Sequence, residues 1–186
     1  MPDLPPAAAT LTPVATTAVR DLIDGFVQWR LWGRLGWLEV KRRYRRTVIG
    51  PFWSAISLGV FVLALGSVGS GLWNKNAADY LPFLAAGMVA WVMVSTIISE
   101  SCGLFVHGTN LYRQMRLNYS TMAYALVYRN LVVFVHNLSV FVLICLVFGN
   151  APLGPEILYI FPGLALVLLN GIWIAITLGL FCLRFR

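Results

Sequence analysis

Four polar side chains interrupt otherwise apolar sequence: Glu100, Arg129, His136 and Asn137. An ionisable group in such surroundings is a functional candidate, because an unpaired buried charge is costly. Glu100 and Arg129 can neutralise one another, and as a pair they face the protein interior. His136 and Asn137 follow Arg129 by seven and eight residues. On a helix they share its face, about 11 Å further along at ~1.5 Å per residue. Such a stripe can hold helices together, line a route or pass protons. Packing is the expected role, ahead of substrate contact, with a proton relay last.

Nothing arranges these groups for catalysis. The sequence has no G-x-x-x-x-G-K-[ST] loop to cradle the phosphates of ATP. His107 and His136 have no Cys, Asp or Glu at metal-ligand spacing. No paired acids suggest glycosyl transfer. Cys102, Cys145 and Cys182 suit neither a disulfide framework nor a metal site, and read as small buried hydrophobes. Neither a catalytic residue nor a metal or cofactor site is expected on this chain.

The elements that hold the polar stripe follow from composition. Of 186 residues, 59% are hydrophobic and 11% charged. A soluble domain has too little polar surface to cover that much apolar area. Four apolar stretches are long enough to cross a bilayer, at about 48–73, 80–105, 120–148 and 156–183. Backbone groups in lipid must pair within their own segment, so these are helices. The loops between the first and second and between the third and fourth stretches carry one cation, Lys75. The opposite side carries twelve, including Arg113 and Arg116 between the second and third. That asymmetry places both termini in the cytosol.

The net charge of +7 would suggest nucleic acid in a soluble protein. Here the cations sit against apolar runs, so the expected partner is anionic lipid and no nucleic acid. Lys41, Arg42, Arg43, Arg45 and Arg46 form the densest cluster. Before them, residues 20–46 are too polar to span but hold Trp29, Trp32 and Trp37. On a helical wheel Arg30, Arg34, Lys41 and Arg45 share one side, with Trp29, Trp32, Gly36 and Val40 roughly opposite. The expectation is an amphipathic helix in the interface plane, its aromatic side in the headgroups. Glu39 falls near the apolar side and Trp37 near the cationic side, against the pattern. Gly50-Pro51 then starts the first span, Pro being tolerated in a first helical turn. Residues 1–19, with four prolines and no cationic leader, read as a disordered cytosolic tail. The fold class is an all-α integral membrane protein: an interfacial helix followed by four transmembrane helices in residues 47–186.

The Trp-rich amphipathic segment, then "RRYRRTVIGPFW", then a long uncharged span, resembles the membrane (permease) subunit of polysaccharide-exporting ABC transporters. "YLPFLAAGMVAWVMVSTIISESCGLF" is similar to that family's second span, with a Gly-x-x-x-Trp element at Gly87 to Trp91. "NLYRQMRLNYSTMAYALVYRNLVVFVHN" resembles its next cytosolic loop and third span. The resemblance covers about Asp21 to Arg186. It implies a homodimeric permease in the bacterial inner membrane, exporting a lipid-linked polysaccharide of O-antigen or capsule type. A separate ABC ATPase subunit would bind ATP and Mg. It also implies that the loop at about 107–118 docks on that ATPase, with Tyr112 as aromatic anchor and Arg113 and Arg116 as charge partners. Phe52, Trp53 and Trp91 are then candidate glycan-lining aromatics, since flat rings let a sugar polymer slide. The family usually has six spans, so this chain is expected to lack the C-terminal third. Two alternatives stay open: a permease for small lipophilic compounds, and a non-transporting membrane anchor or assembly fragment.

Overall fold

The computed structural model describes residues 14–45, 47–74, 76–106, 118–148, 154 and 158–185, with the side chains of 14–17 excepted. Among the described residues the long helices follow in order: α1 (Val14–Val27), α2 (Trp29–Tyr44), α3 (Phe52–Leu72), α4 (Ala77–Ser101), α5 (Tyr119–Phe148) and α6 (Ile160–Arg184). No strand occurs among the described residues. α3, α4, α5 and α6 are each long and apolar enough to cross a membrane.

The four expected spans are present, with shifted ends. The first begins at Phe52 rather than Val48, because Gly50 takes a positive φ of 62°. That left-handed conformation turns the chain just before the helix and suits only glycine without strain. Pro51 then sits at the N-cap of α3, where its missing N–H breaks no helical bond. α4 starts at Ala77, earlier than expected, because the Asn76 side chain accepts from Ala78 N at 3.2 Å. Asp79 in its first turn complements the helix dipole.

The segment read as one interfacial helix is two. α1 ends at Val27 and α2 resumes at Trp29, with Trp32 Nε1 donating to Phe26 O across the junction at 3.4 Å. α1 also begins at Val14, inside the stretch assigned to the tail. Its anchor is tertiary. The Asp21 carboxylate accepts from Ser120 N at 3.1 Å, and Ser120 Oγ donates to Asp21 O at 2.5 Å. An acid from α1 thereby satisfies an orphan donor at the N-terminus of α5.

α4 and α5 form the centre of the bundle, and α3 and α6 each pack on both. Two apolar clusters result. One joins Ala55, Leu58 and Val62 of α3 to Leu81, Ala85 and Val89 of α4 and Val140 and Ile144 of α5. The other joins Met93 and Ile97 of α4 to Ala123, Leu126 and Val127 of α5 and Ala175 of α6. α3 therefore engages the C-terminal half of α5, and α6 the N-terminal half. The outward faces of α3 and α6 remain apolar and exposed, as at Val60, Phe61, Leu166 and Trp173. Faces of that composition suit contact with acyl chains.

α5 has 30 residues, about 45 Å at ~1.5 Å per residue, against a hydrocarbon core of ~30 Å. Its first three turns carry α1 and α2. Tyr124 OH donates to Leu22 O at 3.1 Å, and Trp32 packs on the rings of Tyr124 and Tyr128 at 6.0 and 5.6 Å. Gly36 and Val40 of α2 are buried. The apolar face expected in the headgroups is thus seated on α5. Trp29 and Trp37 stay exposed, under Arg30 at 5.5 Å and Lys41 at 6.0 Å.

Candidate functional site

Four charges meet where α2 crosses the end of α4 and the start of α5. Glu39 and Arg43 lie one turn apart on α2 and point the same way. Arg43 Nη1 donates to Glu100 Oε1 at 2.5 Å. Arg129 Nη2 donates to Glu100 Oε2 at 2.5 Å, and Arg129 Nη1 donates to Glu39 Oε2. Asn130 Nδ2 adds a bond to Glu100 Oε2 at 3.1 Å and another to Leu126 O at 3.0 Å. The order is Arg43, Glu100, Arg129, Glu39, an alternating chain with no net charge.

Burial decides which members matter. The side chains of Arg129 and Glu100 are 16% and 20% exposed, against 39% for Glu39 and 48% for Arg43. The inner pair is expensive to desolvate and is tolerated because each partner is bonded on two sides. The outer two can recover solvent if released. Arg129 Nε is buried with no partner among the described residues.

The pairing expected between Glu100 and Arg129 is present. Sequence reasoning missed Glu39 and Arg43. The signal for Glu39 was its place on the apolar side of the α2 wheel, an anomaly that the Arg129 bond resolves. Arg43 belongs to the cluster assigned to lipid, but its guanidinium turns to Glu100. Lys41, Arg42 and Arg45 are exposed. Arg46, Tyr112, Arg113 and Arg116 lie outside the described residues.

His136 and Asn137 do not join the charge chain. His136 Nδ1 lies 2.7 Å from Val132 O, and a carbonyl can only accept, so that nitrogen carries the proton. Its ring meets Phe52 edge-on at 5.0 Å. Asn137 is buried, with Oδ1 at 3.1 Å from Ser54 Oγ, which also lies 2.7 Å from Pro51 O. Both polar residues therefore pack against the first turn of α3, at the end of that span. No hydrogen bond among the described residues links them to Arg129.

The three candidate aromatics are all exposed, on two helices. Phe52 and Trp53 lie at the start of α3, and Trp91 lies on α4. Among the described residues no group of His, Cys, Asp and Glu is placed to hold a metal ion.

Arg20, Arg30, Arg34, Lys41, Arg42, Arg43, Arg45 and Arg184 gather at the same end of the bundle as the charge chain. A helical bundle with four membrane-crossing helices, its cations at one end and an amphipathic helix clasped there, defines a multi-pass α-helical membrane protein. No known family, curated protein or solved structure matches the chain.

Proposed function

We propose that this chain is the permease subunit of an ABC transporter that exports a lipid-linked polysaccharide, powered by a separate ATPase. In this reading the basic end is cytosolic, the membrane is a bacterial inner membrane, and the active unit is a homodimer. The observation that carries it is the clasp. α2 is fastened by charge to the last turn of α4 and to the third turn of α5, the two helices that bracket residues 107–118. If Tyr112, Arg113 and Arg116 dock on the ATPase, its closure pulls on α4 and α5. The ion pairs then pass that displacement to α2 at the membrane surface. A polymer whose carrier bears a pyrophosphate would enter beside the exposed cations of α2, where Coulomb attraction is strong near a low-dielectric boundary.

The test separates substrate attraction from anchoring. Replacing Lys41, Arg42 and Arg45 with Gln is expected to lower export several-fold, measured as polymer reaching the cell surface. ATPase association should be unchanged, because the clasp residues are untouched. Normal export at normal protein levels would remove the substrate role and leave these cations as anchors.

A further inference from the structure

The sequence gives no reason to pair any of the three cysteines, yet the fold brings two together. Cys102 follows the last residue of α4, and Cys182 lies in the last turn of α6. The helices approach closely here. A Cβ on Gly179 would stand 3.3 Å from Ser101 O, and Cys182 is one turn beyond Gly179. Cys102 follows Ser101 directly, so the two thiols are neighbours across this helix contact. Cys102 is exposed and Cys182 half-buried, so one sulfur is open to a water-borne reagent and the other backs it. Cys145 is buried in the α3–α4–α5 half of the bundle and serves as an internal control.

We propose that Cys102 and Cys182 form a reversible disulfide site that staples the end of α4 to the end of α6. With a peroxide as oxidant the balance is complete. The Cys102 thiolate attacks the O–O bond, giving a sulfenic acid and releasing one water after protonation. The Cys182 thiolate then attacks that sulfur, the S–S bond forms, and the sulfenic oxygen leaves as a second water. Two thiols lose two electrons and two protons, and the peroxide takes up both. In a glutathione-buffered compartment the pair rests reduced and closes on exposure to oxidant. The staple fixes α4 next to Glu100 and beside the exit to residues 107–117. Its effect on transport rests on the proposed function; the sulfur chemistry does not.

The test treats the full chain, purified in lipid nanodiscs, with hydrogen peroxide, then blocks free thiols and digests without reductant. Mass spectrometry should find one peptide pair linking Cys102 to Cys182 within a single chain, and dithiothreitol should abolish it. Cys145→Ser should leave the link intact, while Cys102→Ser and Cys182→Ser should each eliminate it. Free alkylated thiols at both positions, a bridge to Cys145, or a link only between two chains would overturn the proposal. A link that forms in a protein that captures no ATPase would leave this site standing and remove the transporter reading.

Discussion

Arg129→Met is expected to destabilise the protein by on the order of 3 kcal/mol, the cost of removing the more buried of the two cations that neutralise Glu100, which keeps only the half-exposed Arg43 and Asn130. The substitution removes both ion pairs from α5 to the clasp, those to Glu39 and Glu100, and leaves the Asn130 hydrogen bond to Glu100. Glu39 is exposed enough to recover water, but Glu100 is not. Glu100→Gln alone leaves Arg129 with Glu39 as its remaining ion partner, as Arg129→Met leaves Glu100 with Arg43, so a loss of similar size is expected. The double variant, Arg129→Met with Glu100→Gln, buries no full charge in the inner pair and should recover much of the loss. A coupling of about 0.5–3 kcal/mol is the range for groups in direct contact. Thermal unfolding of the four proteins in one detergent measures it. Strictly additive losses would mean that the two side chains do not share an ion pair in the folded protein.

Gly36→Val is expected to lift α2 from α5. A Cβ at position 36 would stand 2.8 Å from Ala125 O and 2.8 Å from Tyr128 Cδ1. The first is backbone of a central helix and cannot step aside, so α2 must move. Overpacking of this kind costs about 1–3 kcal/mol where repacking is possible. Here the displacement also breaks the reach of Glu39 and Arg43 into the clasp. Gly33 provides the control, since a Cβ there meets nothing within 4 Å. Both substitutions place the same β-branched residue inside one helix, so intrinsic propensity cancels. Hydrogen–deuterium exchange over Trp29–Tyr44 should accelerate in Gly36→Val and change little in Gly33→Val. Equal exchange in the two variants would show that α2 does not depend on close packing against α5.

The parts of this fold that sequence made legible are those set by local composition. Uncharged runs of spanning length located α3 and α6, and the rarity of ions near apolar sequence singled out Glu100 and Arg129. The shifted ends have local causes that composition does not weigh, namely the positive φ of Gly50 and the Asn76 cap. What stayed hidden was tertiary. A helical wheel reports which side of α2 a residue occupies, not whether that side meets lipid or protein, so the seat of Gly36 and Val40 on α5 could not be read. α1 owes its place to Asp21 at the N-terminus of α5, an interaction between residues 99 apart in sequence. The proximity of Cys102 to Cys182 depends on how α4 and α6 cross, which spacing along the chain does not encode.

In the proposed function an ATPase drives this chain through the loop between α4 and α5. The most direct measurement is affinity isolation of the tagged chain from its native membrane, in mild detergent, with identification of the subunit that accompanies it. An ABC ATPase is expected in near-stoichiometric amount, lost when Tyr112 and Arg116 are replaced by Ala while the chain still inserts in the membrane. Isolation of the chain without any ATPase, or capture of one that survives the loop substitutions unchanged, would contradict it.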